Sequence, residues 1–298
     1  MADTNWKGHC AMLGANIIWG LMSPVAKLVL SSGIIAPLVL VDFRVAGAAL
    51  LFWILSAFFP KEHVPLGDLL LLAGAAMIGV LFNQGCFIIG VNFTSPGEAS
   101  LITTTMPMWV MILAWFILHE PITGKKIGGI LLGAAGALIL VFGNLHSASR
   151  GSNPVLGDFI VLAAQFSYAL YLTLYRNFIR KYSLVTLMKW MFLAATIVAI
   201  PVTSPWLAST DWTAVSWSEW AGIAYVVAAG TFLAYICIMI GQKTLRPTVV
   251  GIYNYVQPVV AMFVGISLGL DALTPMKLFA IVLIFSGVYL VTISRAKS

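Results

Sequence analysis

The sequence predicts an all-α integral membrane protein, ten transmembrane helices arranged as two inverted five-helix repeats. Three observations carry this expectation. Of 298 residues, 61% are hydrophobic and only 9% charged, against roughly 25% charged for a domain with a water-facing surface. Glycines, prolines and charged clusters divide the chain into ten apolar runs, most of them near the ~20 residues that cross a bilayer core. Landmarks of the first half also recur in the second at a shift of 151 positions.

Hydrocarbon offers no partner to a backbone N–H or C=O, so a span must satisfy its own backbone or close into a barrel. Continuous apolar runs, not short alternating ones, select helices. The spans read 9–30, 36–59, 67–91, 97–118 and 125–143, then 156–178, 184–201, 218–240, 248–269 and 274–293. The short start before the first run reads as part of a retained span, with no small-residue cleavage site after it. Ten spans place both termini on one face. Lys7, Lys61, Lys125, Lys126, Arg180 and Lys181 fall there, while the opposite loops hold only Arg150 and Lys277. Cytoplasmic loops collect Lys and Arg, so both termini are expected in the cytoplasm and the chain in the inner membrane. Trp206, Trp212 and Trp217 in the long opposite loop suit an interfacial belt.

The net charge of +6 does not indicate nucleic acid, because the basic residues sit in short loops between apolar runs. Cys10, Cys86 and Cys237 have no pairing or metal spacing and read as small buried hydrophobes. His9, His63, His119 and His146 are isolated, and no catalytic constellation is present. No enzyme activity, cofactor or metal site is expected. The expected partners are a small-molecule substrate and the lipid bilayer.

The repeat pairs Gly90 with Gly241, Pro96 with Pro247, Pro107 with Pro258, Glu120 with Asp271 and Lys126 with Lys277. Asn16 with Gln165, Trp19 with Tyr168 and Lys27 with Arg176 match at a slightly smaller offset. The division falls at 1–147 and 148–298. Five spans per copy is an odd number, so the copies stand upside down relative to each other, a recurrent carrier device.

Trp19-Gly20, Lys27, Pro37, Arg44, the segment Ser95-Pro96 through Pro107 to Glu120-Pro121, and the glycine-rich run Gly128–Gly143 carry a family likeness. With them the chain resembles the drug/metabolite transporter superfamily, in its ten-span branch with two EamA-like domains. The resemblance implies alternating access around a central cavity lined by spans one, three, four, six, eight and nine. Members move amino acids, other small metabolites, nucleotide sugars or drugs. The second copy departs from the pattern at Tyr168-Ala169 and Asp271-Ala272, so substrate identity does not carry over.

In those spans the polar and aromatic residues form a candidate substrate ring. Asn16 and Trp19 come from span one, Asn83 and Gln84 from span three, and Thr103 and Thr104 from span four. Gln165, Tyr168 and Tyr171 come from span six, Tyr235 from span eight, and Tyr253, Asn254 and Gln257 from span nine. Asn254 and Gln257 share a helix face; interhelical hydrogen bonding, worth about 0.6 kcal/mol per contact, explains them equally well. Pro107 and Pro258 lie mid-span and leave the carbonyls of Thr103 and Asn254 without their helical donor, which fits either a hinge or a static kink. Lys27 and Arg44 attract a substrate carboxylate, snorkel to the interface or pair structurally. Glu98 reads as a proton-coupling acid or, three residues after Ser95, as part of a capping box. Gly74, Gly79, Gly128, Gly129, Gly133 and Gly136 are read as packing positions.

A ring of amides, hydroxyls and aromatics without a carboxylate suits a neutral or zwitterionic metabolite better than an organic cation. Export of amino acids or related polar metabolites is therefore expected, with proton or counter-substrate coupling left open. A drug or nucleotide-sugar carrier of the same fold is the alternative, and a membrane-embedded enzyme or sensor a remote one.

Overall fold

The computed structural model describes residues 6–94, 99, 102–144, 153–267 and 274–294, without the side chains of Lys27 and some other helical residues. Helices account for the architecture, and no strand occurs among the described residues. In chain order they are α1 (Trp6–Leu30), α2 (Pro37–Ser56), α3 (Leu66–Phe93), α4 (Met106–Leu118) and α5 (Gly124–Asn144). Then come α6 (Pro154–Leu174), α7 (Leu184–Ser209), α8 (Trp217–Thr244), α9 (247–267) and α10 (Pro275–Thr292). Each corresponds to one expected apolar run. Seven of them (α1, α2, α3, α6, α7, α8 and α10) are long and apolar enough to cross a membrane, and α4 is a shorter apolar helix. Their outer faces expose large apolar side chains such as Leu50, Phe116, Ile197 and Val282, which lipid accommodates and water does not.

One boundary differs clearly from expectation. The sequence pattern ends span seven at Pro201, yet α7 continues to Ser209 with Pro201 and Pro205 inside it. Pro205 cannot donate to the carbonyl of Pro201; the Ser204 hydroxyl donates to that carbonyl instead, at 3.1 Å. A side chain replaces the missing backbone donor, and the helix survives.

The strongest helix–helix contacts recur when every helix is exchanged for the one five further on. The contact α1–α8 has its counterpart in α6–α3, and α4–α6 in α9–α1. The pairs α2–α7, α4–α9 and α5–α10 map onto themselves. In α2–α7, Asp42 meets Thr203 while Phe52 meets Phe192, so these equivalent helices run antiparallel. In α5–α10, Gly129 faces Gly287 and Gly136 faces Ala280, again antiparallel. Such close approach supplies the dispersion that holds membrane helices together where no hydrophobic drive exists between them.

Irregular helix recurs at matching places as well. The π-helical turns Met77–Phe82 and Ala228–Leu233 are separated by the shift of 151. The turn at Thr104–Thr105 before α4 and the 3-10 turn Tyr253–Tyr255 within α9 are likewise equivalent. Pro107 therefore stands in the first turn of a helix, and Pro258 three residues after a 3-10 turn. Each helix breaks just before its proline. The carbonyl four residues back then has no helical donor to lose.

Candidate functional site

Residues beside these irregular turns line a cavity, which holds about 530 Å³ of atom-free space including its mouth. Helices α1, α2, α3, α4's preceding turn, α6, α8 and α9 all contribute to its wall. Trp19, Tyr168 and Tyr235 form an aromatic corner, with Trp19 edge-on to both tyrosines at 6.0 Å. The Trp19 indole donates to the Gly230 carbonyl at 3.0 Å, inside the π turn of α8. A π turn shifts the hydrogen-bond register, leaving carbonyls to be served from outside the helix.

Gln84 and Tyr235 occupy equivalent positions in the repeat and meet in space. Gln84 Nε2 donates to the Tyr235 hydroxyl at 2.8 Å. The Tyr235 hydroxyl is 3.4 Å from the Gly79 carbonyl, to which it donates. Gln84 Oε1 is then a buried acceptor with no partner. Thr103 and Asn254, another equivalent pair, both line the cavity. Gln165 lines it as well, Asn83 does so while donating to the Ala164 carbonyl, and Gln257 while donating to Asn16 and Asn254.

Arg44 brings the cavity its charge. It is 4% exposed and lines the wall, its Nε donating to Thr231 Oγ1 at 3.2 Å. The bond to Thr231 is a structural pairing, one of the alternatives its position left open. No carboxylate lines the cavity among the described residues.

Of the expected ring, Trp19, Asn83, Gln84, Thr103, Gln165, Tyr168, Tyr235, Asn254 and Gln257 come together around this space. Asn16 stands behind Gln257, Tyr253 bonds to His9 at 2.7 Å, and Thr104 is buried off the wall. Tyr171 lies a turn beyond Tyr168 and donates to Gln242 Oε1 at 3.2 Å. Glu98 and the Lys27 side chain are outside the described parts. Met22 and Phe87 line the cavity unforeseen, since apolar residues in apolar spans carry no signal of their own. Asp42 is a buried acid that the sequence reading passed over. It faces α7 rather than the cavity, bonded to Thr203 and with Oδ1 unpartnered.

Toward the end where α1 begins and α10 finishes, two polar layers lie beyond the cavity. The first is Tyr168–Gln242–Tyr171. The second centres on Glu120, just after α4. His119, with φ of 51°, is the non-glycine residue in the left-handed region, a costly conformation that here turns the chain back. The Glu120 carboxylate is 5% exposed and accepts from Lys126 Nζ at 2.9 Å, Thr248 Oγ1 at 2.9 Å and Arg176 Nη1 at 3.2 Å. Burial pushes this carboxyl up, but the bonds from Lys126 and Thr248 and the charges of Lys126 and Arg176 outweigh it. It is held below the ordinary carboxylate range. The recurrence of an acid here in both halves was the sequence signal; that it gathers partners from α5, α6's end and α9 was not legible.

The sequence pattern of the EamA-like transporter family matches residues 6–142 and again 155–293. The chain belongs to the EamA-like transporter family. This EamA-like transporter is a multi-pass membrane protein, and its family supplies what the cavity already implies, a small-molecule substrate within a lipid environment. It is 24% identical over 286 residues to the uncharacterized transporter YetK of Bacillus subtilis, covering 96% of this chain and 84% of that one. It is 26% identical over 298 residues to the uncharacterized inner membrane transporter YedA of Escherichia coli K12, covering 96% and 90%. Protein PecM of Dickeya dadantii is 26% identical over 236 residues, 78% of this chain and 76% of that one. A solved crystal structure superimposes with a TM-score of 0.76 at 17% identity over 96% of both chains, which shows the fold.

Proposed function

We propose that this EamA-like transporter works by alternating access between two inverted repeats, 1–147 and 148–298. In this reading it exports amino acids or related small polar metabolites across the cytoplasmic membrane, with both termini in the cytoplasm. The observation that carries the reading is the cavity wall. It is built from pairs of equivalent residues in the two halves (Gln84 with Tyr235, Thr103 with Asn254), so relative motion of the halves must remodel it. Amides, a hydroxyl and aromatic faces around one arginine suit a small polar solute. Two phosphates of a nucleotide sugar would call for more cationic groups than Arg44 alone. In this reading the Tyr171–Gln242 and Glu120 layers lie between the cavity and the cytoplasmic end.

Counterflow in proteoliposomes against a metabolite panel, with and without a pH gradient, tests the reading. Saturable exchange of amino acids is expected. Uptake of quaternary ammonium drugs with none of amino acids would overturn it, and stimulation by a pH gradient would identify proton coupling. The prolines give a second test. Pro107→Ala and Pro258→Ala restore a helical N–H beside each break and are expected to lower turnover severalfold with expression retained. Unchanged exchange rates would make both breaks static.

A further inference from the structure

We propose that the cavity selects solutes bearing a carboxylate, and that Arg44 is the residue that holds it. This deepens the transport reading above and rests on it.

The first ground is a missing counter-charge. A guanidinium stays protonated wherever it is placed, and a charge buried in a span is retained where it faces a partner or a polar cavity. Arg44 forms no ion pair with any described carboxylate. Asp42, two residues earlier on α2, is turned about 200° around the helix and bonds to Thr203 on α7. The remaining wall is neutral among the described residues. Among the described residues, the cavity therefore presents one positive charge without a carboxylate partner.

The second ground is orientation. Thr231 lies in the π turn of α8 and its hydroxyl donates to the Val226 carbonyl at 2.7 Å. Its proton is committed, so its lone pair is free to accept from Arg44 Nε. That bond fixes the plane of the guanidinium while no described group bonds its two terminal nitrogens. Two parallel N–H groups in a fixed plane match the two oxygens of a carboxylate. The π turn thus serves as a brace for the fork. Gln84 Oε1, buried and unpartnered on the same wall, is the acceptor available to a donor on the solute once the wall rearranges.

The test uses the full-length protein and two matched series, alanine and phenylalanine, each with its primary amide and its decarboxylated amine. Binding is read by ligand-induced thermal shift and transport by counterflow. The acids are expected to bind and exchange at least tenfold better than amides or amines. Arg44→Gln is expected to raise the half-saturating concentration of the acids at least tenfold and to erase their advantage over the amides. Arg44→Lys keeps the charge without the fork; it is the variant that carries the test should Arg44→Gln fail to fold, and it should retain part of the preference. Exchange of amides and amines as good as that of the acids would sink the carboxylate assignment while leaving the carrier intact. So would an acid-to-amide ratio unaltered in Arg44→Lys and Arg44→Gln. Neither binding nor exchange of any compound would overturn both this assignment and the amino-acid reading.

Discussion

Glu120→Gln is expected to lower the melting temperature of the purified protein more than any other conservative change near the cavity. The substitution keeps the shape of the side chain and removes its charge, leaving Lys126, 1% exposed, without its counter-ion. Removing one partner from a buried pair costs about 3–5 kcal/mol, mostly through the charge left behind. Arg176 is the more exposed partner, so Arg176→Gln should cost less than Glu120→Gln. A double change, Glu120→Gln with Lys126→Met, should recover much of the loss, because it deletes both charges. Thr248→Val probes the link between halves alone, removing one bond of 2.9 Å without leaving a charge exposed to hydrocarbon.

The same cluster makes a prediction about pH. The folded-state pKa of Glu120 is lowered, so its contribution is present above the ordinary carboxylate range and lost as pH falls through the lowered value. Between pH 5 and pH 8 the carboxylate stays ionised. The destabilisation caused by Glu120→Gln is therefore expected to be constant across that window, as thermal melts at several pH values would show. A penalty that shrinks steadily from pH 8 to pH 5 would mean that Glu120 titrates there and that its partners do not hold its pKa down.

The second large effect is expected at Gly287→Ala. A Cβ at Gly287 would lie 2.5 Å from the Gly129 carbonyl oxygen, 2.8 Å from Gly133 N and 3.1 Å from Gly133 Cα. These are backbone atoms of α5 and cannot rotate aside. Relief requires α5 and α10 to separate, which surrenders the close packing that holds them together. Overpacking of this kind costs about 1–3 kcal/mol for small additions, and Gly287→Leu should prevent assembly. Gly128 is the internal control. It was counted among the packing glycines, but a Cβ there meets nothing within 4 Å. Gly128→Ala should be neutral or stabilise the helix by up to about 1 kcal/mol through helix propensity. Equal melting temperatures for the two alanine variants would refute this account of the α5–α10 contact.

Some of this was legible in the chain and some was not, for separable reasons. Apolar runs are local properties, so the all-helical membrane fold is legible directly in the chain. The duplication was readable because Pro107 and Pro258, or Glu120 and Asp271, recur in register. The end of α7 was misplaced because Ser204 supplying the Pro201 carbonyl is a three-dimensional substitution for a lost backbone bond. The matched π turns were invisible, since a one-residue shift of hydrogen-bond register leaves no mark in apolar sequence.

For the cavity, the sequence by itself determined which spans carry polar and aromatic side chains, because such residues are conspicuous where lipid is the solvent. Tertiary structure alone decided which of them share a space. Tyr168 lines the cavity while Tyr171 does not, although both bond to Gln242 and three residues place them on nearly one side of α6. It decided too that Arg44 points inward at a neutral wall and that Glu120 gathers charges from both halves. Side-chain identity is written along the chain. Whether a charge meets lipid, a counter-ion or an empty cavity depends on helices five positions apart coming to face one another.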